Sequence, residues 1–149
     1  MTHETFRTFF ELLIGDWVGH RRSAALAQEL VRSEWRIALD GSFLQEHWHT
    51  AGSGSSPEHT AEAFFRVCDS GPGDFIAVYK SGKTAFGEST FEDCEWTLTH
   101  RWLRESGIAT IRIRFLDSNS YEQEVAEVAS DGTLIPESFV VMKRDRTIP

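Results

Sequence analysis

The segment Gln45-Glu46-His47-Trp48-His49 puts a carboxylate and two imidazoles within five residues, and His100 adds another imidazole farther along the chain. Two chemistries use such groups. Two histidines and a carboxylate on one surface can hold a divalent metal. A carboxyl in apolar surroundings with a histidine facing it can exchange protons with a bound molecule. The direction of each side chain decides between them, and the carrying element sets that direction.

Two strand-like runs, 28–39 and 42–50, meet at Asp40-Gly41, a dipeptide that tolerates the positive φ of a tight two-residue turn. Such a loop makes Leu39 and Ser42 partners, and Ile37 then meets Leu44, Trp35 meets Glu46, Ser33 meets Trp48 and Val31 meets Thr50. One face holds Val31, Ser33, Trp35, Ile37, Leu39, Leu44, Glu46 and Trp48, and the other holds Arg32, Glu34, Arg36, Gln45, His47 and His49. The first is the inner face. Glu46 is therefore predicted to point inward between two tryptophans, where an unpaired carboxylate either raises its pKa or finds a donor. His47 and His49 fall outside with Glu34 and Arg32, where Arg32 repels a cation and water solvates the group, so no metal site is expected.

Alternation in CEWTLTHRW likewise places Cys94, Trp96, Leu98, His100 and Trp102 on the inner face. In GIATIRIRFL the apolar face is Ala109, Ile111, Ile113 and Phe115, with Arg112 and Arg114 outside.

These strands belong to a longer series. Phe6, Phe9, Phe10 and Leu13 recur at helical spacing, and Gly15 is placed to end that helix in a left-handed conformation. After it the period changes to two. About ten runs follow, near 16–23, 28–39, 42–50, 60–68, 74–80, 84–91, 94–102, 107–117, 120–129 and 134–145, separated by turn residues such as Ser70-Gly-Pro-Gly73, Ser81-Gly82 and Asp131-Gly132. The stretch AGSGSSPEH, 51–59, reads as a long flexible loop. With no composition shift, residues 1–149 read as a single domain. A meander of about ten strands leaves two exposed edges unless it closes, so the expected fold is all-β, a closed antiparallel barrel with one short N-terminal helix. A sandwich is the alternative.

A net charge of −8 disfavours a phosphate backbone as partner, so no nucleic acid is expected. Nor is a membrane partner, since no run approaches the ~18 apolar residues of a spanning helix. The expected compartment is the cytoplasm, with Cys68 and Cys94 as buried or half-buried thiols. No nucleophile elbow, phosphate-binding loop or dinucleotide fingerprint occurs, and no cofactor is expected. A homodimer is left open.

The segment LIGDWVG, 13–19, at the end of a short helix and the start of the first strand, resembles the G-x-W signature of the calycin barrels, which include lipocalins, fatty-acid-binding proteins and nitrobindin-like haem proteins. The resemblance implies that Trp17 plugs one end of the barrel and that a basic residue of the last strand stacks on it. That residue is Arg144, with Lys143 as competitor. The longer pattern of SEWRIALDGSFLQEHW, AFFRVCDSG and SYEQEVAEVASDG looks most like an uncharacterised lipocalin-like family. EHTAEAFFRV is similar to the nitrobindins, which hold haem iron through a histidine near the start of the last strand. Glu137 stands at that position here, so haem is not expected by that route. The opening FFELLIGDWVGHRRS also resembles the S-type phycobilin lyases.

The interior thus combines large aromatics with two ionisable groups. A packed core needs only a Glu46···His100 or Glu46···Trp hydrogen bond. A ten-strand barrel, however, is wide for side chains alone to fill. Three functions remain in view. The first is uptake of a small, mostly apolar or aromatic ligand, with Trp35, Trp48, Trp96 and Trp102 as walls and Glu46 and His100 as polar anchors. The second is an enzyme that moves protons through Glu46 and His100 in the same pocket. The third is a filled barrel serving a partner chain.

Overall fold

The structure is a computed structural model that describes residues 5–23, 28–50 and 59–146. The predicted loop lies outside them except for His59, which opens a strand.

Helix α1 (Phe6–Leu13) buries Phe6, Phe9, Phe10 and Leu13, its N-cap Thr5 accepting a hydrogen bond from the Thr8 amide. Gly15, directly after the C-cap Ile14, takes φ 131° and turns the chain into the sheet. Ten strands follow: β1 (Gly15–Ser23), β2 (Glu29–Ala38), β3 (Phe43–Thr50), β4 (His59–Cys68), β5 (Gly71–Tyr79), β6 (Thr84–Glu92), β7 (Glu95–Trp102), β8 (Ile108–Asp117), β9 (Ser120–Val128) and β10 (Leu134–Arg144). Each pairs antiparallel with the next, and β1 also pairs with β10, so the meander closes into a barrel as expected.

The β2–β3 register matches the one read from Asp40-Gly41, including Trp35 opposite Glu46 and Ser33 opposite Trp48. Asp40 (φ 57°, ψ 34°) and Gly41 (φ 88°) form the turn, closed by the Ser42 amide donating to the Leu39 carbonyl at 3.1 Å. Two inner-face assignments fail. Ile37 is 51 % and Leu39 67 % exposed, because this end of the hairpin runs past the interior, and alternation reports a face rather than a depth. Cys68, at the end of β4, is exposed rather than buried, and Cys94 is half-buried in the β6–β7 turn. Gly71, Pro72 and Gly73, read as part of a turn, belong to β5.

One end of the barrel is solid. The α1 phenylalanines meet Phe91, Trp96 and Phe115, while Trp35, Phe65 and Trp96 pack on one another beneath them. Trp17, fully buried, donates from its indole nitrogen to the Leu13 carbonyl at 2.7 Å. The guanidinium carbon of Arg144 stands 4.3 Å from the Trp17 ring centroid. The same guanidinium donates to the carbonyls of Leu12, Ile14 and Ser118 at 2.8, 3.1 and 2.9 Å, which ties α1, the β8–β9 turn and the last strand together.

Arg144→Ala should therefore lower unfolding free energy by about 3 kcal/mol, since it removes a cation–π contact and leaves helix-end carbonyls without donors. Arg144→Lys should recover less than half, because an ammonium cannot reproduce the fork. Urea unfolding of the three proteins measures this, and near-equal midpoints would contradict the role.

Candidate functional site

The hollow lies in the other half. Along β4 the inward residues are Ala61, Ala63 and Phe65, and along β5 they are Phe75, Ala77 and Tyr79, so bulk falls where α1 plugs the barrel and is lost elsewhere. Register sets Glu46, Ala63, Ala77 and Ala85 side by side across β3 to β6. Three methyl groups beside one carboxylate cannot fill a barrel of this width. The result is a cavity of about 600 Å³ that opens at the end opposite α1, between Arg21, Lys83, Ser106, Gly107 and Glu137.

Trp35, Glu46, Trp48, His100 and Trp102 border this cavity. Trp96 does not, being fully buried beneath α1 against Phe6 and Phe9. Tyr79, Phe75 and Gln123 also border it, and sequence reasoning missed them. Their signal was the alternation of Phe75, Ala77 and Tyr79, in which the alanine obscured a wall position.

Glu46 is half-buried in the barrel wall and borders the cavity. Burial raises its carboxyl to about 7 against a hydrogen bond from Ser33, and the nearby Glu62 charge raises it further. Its partner is neither His100 nor a tryptophan. Ser33 Oγ donates to Glu46 Oε2 at 2.6 Å. Ser33 also meets the Tyr121 hydroxyl, which accepts from Trp35 Nε1 at 3.2 Å. A buried polar chain from Trp35 through Tyr121 and Ser33 thus holds one carboxyl oxygen. Burial and the Glu46 charge, partly offset by Arg21, push the Tyr79 phenol up to about 12.

His100 is 5 % exposed, lies edge-on to Trp102 at 4.6 Å between centroids, and has no hydrogen-bond partner at Nδ1. Burial holds its pKa below the ordinary value. Three strands separate it from Glu46, and the two approach the cavity from different walls. On the outside, His47 pairs with Glu62 at 2.5 Å and His49 with Thr60 at 3.0 Å, so neighbouring-strand partners occupy the imidazoles that first drew attention. Arg112 and Arg114 pair outside with Glu124 and Glu122. Glu137 is exposed in β10, beside a bulge at Pro136–Ser138. No helix among the described residues is long and apolar enough to cross a membrane.

A closed ten-strand meander with a helix across one end and a cavity open at the other is a calycin-like barrel. Among solved structures the chain is similar to Rv2717c from M. tuberculosis, with TM-score 0.64 and 17% identity over 91% of this chain and 94% of that one. It is also similar to the S-type phycobiliprotein lyase CPES from Guillardia theta, with TM-score 0.65 and 15% identity over 97% of this chain and 94% of that one. At these identities the likeness is one of fold. No protein-family model and no curated protein matches the sequence.

Glu46 makes stability depend on pH. Between the carboxyl's ordinary value of 4.5 and about 7, the folded state holds a proton that the unfolded state has released, so stability falls as pH rises through that window. Glu46→Gln should match wild type near pH 5 and exceed it by of order 2–3 kcal/mol at pH 8, measured by urea unfolding. Parallel pH profiles would show that Glu46 is not buried as described.

Proposed function

We propose that the protein binds a small, largely aromatic molecule in the barrel interior. The observation that carries this is the combination of a cavity of about 600 Å³ with aromatic walls and two polar groups directed at it, Glu46 and His100. Ligand sites have that composition, apolar surface for affinity and a few polar atoms for orientation. Trp48, Trp102 and Tyr79 supply wall area near the mouth, and Trp35 closes the base. The barrel likeness to a phycobiliprotein lyase agrees with a small-molecule role and does not carry it.

The test is titration with anthracene, an uncharged aromatic probe, followed by quenching of tryptophan emission. Saturable quenching in wild type should weaken at least tenfold in Ala77→Phe, which places a ring in the cavity, and severalfold in Trp48→Ala. Equal affinity in both variants would place the probe elsewhere and reject the assignment.

A further inference from the structure

The charges bordering the cavity do not balance. Its acidic groups are Glu46, Glu127 and Glu137, and its basic groups are Arg21, Lys83 and His59. Two of the three basic groups are already matched by acids. Arg21 is bound to Glu29 at 2.5 Å, and Lys83 faces Glu105 at 3.5 Å while lying over the Trp102 ring. His59 stands near Glu29 as well. Among the described residues Glu46, Glu127 and Glu137 have no cationic partner. The deepest, Glu46, has one oxygen held by neutral Ser33.

Given that the cavity is a binding site, the reading above on which this rests, we propose that its ligand is an organic cation, an aromatic molecule bearing a protonated or N–H-donating nitrogen that pairs with Glu46. An anion brought there meets a like charge without a free base to offset it, and in a low-dielectric interior that repulsion is large. An uncharged hydrocarbon fills the space and leaves the carboxylate unmatched. A cation supplies the missing partner, and Trp48, Tyr79 and Trp102 offer ring faces that favour a positive charge. The rim acids Glu127 and Glu137 add attraction of the same sign at the entrance.

The carboxyl must be ionised to pair, so cation affinity rises with pH until Glu46 is fully charged. The other charged or titratable groups around it are Arg21 from β1, His59 and Glu62 from β4, Tyr79 from β5, Lys83 from the β5–β6 turn, His100 from β7, Tyr121 and Glu127 from β9 and Glu137 from β10. Burial lowers the His100 pKa and raises those of both phenols, while Arg21 is held by Glu29. Glu46 is the acid among them that the barrel wall encloses, and Glu46→Gln isolates its part in the pH dependence.

Three probes of similar shape test the inference on the intact chain: 9-aminoacridine as cation, anthracene as neutral molecule and anthracene-9-carboxylate as anion. At pH 8 the cation should bind at least tenfold more tightly than the anion, with the preference shrinking towards pH 5. Glu46→Gln should abolish most of that preference, whereas Glu122→Gln, on the outer face, should retain it. Anthracene binding without cation preference, or a preference unchanged by Glu46→Gln, would overturn the inference and leave the cavity reading intact. Failure of all three probes to bind would overturn both.

Discussion

The position of β1 between β2 and β10 is the constraint on which the rest depends. Trp17 stands opposite Ser33 in β2 and Arg144 in β10, so one short strand satisfies two sheet edges that would otherwise lie open. The approach is close. A Cβ added at Gly19 would fall 2.4 Å from the Val141 carbonyl oxygen, so no larger residue fits there without moving β10. The residue that closes the barrel's base is two positions earlier, and Arg144 fastens it to the carbonyls at the end of α1. Closure and plugging therefore rest on one segment, residues 13–19, and the cavity exists only because both are in place.

Once the barrel is closed, side-chain volume divides it. The inward residues near α1 are Trp17, Trp96, Phe91, Phe115 and Tyr121; Phe91 and Phe115 meet Phe9 of α1 at centroid separations of 5.0 and 5.1 Å, and Trp17 meets Tyr121 edge-on at 4.8 Å. Towards the mouth β4, β5 and β6 offer Ala61, Ala63, Ala77 and Ala85. Gly87 marks where the two halves meet: a Cβ there would come 1.7 Å from the Thr99 carbonyl oxygen, and Phe75 lies alongside opposite His100. Backbone closeness at that point brings β6 and β7 together below the cavity wall.

This division explains what the sequence made legible. Facing was readable wherever a turn pinned the register, as Asp40-Gly41 did for Trp35, Glu46 and Trp48, and wherever large residues alternated strictly, as from Trp96 to Trp102. Helix α1 was readable from four apolar positions at one spacing. Depth was not, because the period of a strand says which way a side chain points and not how far along the barrel it sits. Ile37 and Leu39 therefore appeared internal, and Trp96 looked equivalent to Trp102 although α1 covers only the former. Contacts across the barrel were equally hidden. Glu46 and His100 share a face yet belong to β3 and β7, with three strands between them, while the actual partner of Glu46, Ser33, was the near neighbour of its cross-strand tryptophan.

Glu46 also shows why a polar residue can persist at such a site. A buried carboxyl is costly, and replacing it by an apolar side chain of similar volume is commonly neutral or stabilising. Here Ser33, Tyr121 and Trp35 are all arranged to hold one of its oxygens, and each is itself nearly or fully buried. A network of that size orients a group more than it stabilises the fold, since hydrogen bonds within proteins return little net energy beyond those made to water. Departures from the rules of core composition concentrate where function requires them. The departure here falls at the boundary between the packed half and the hollow half, where Glu46 borders the cavity with one oxygen held by Ser33.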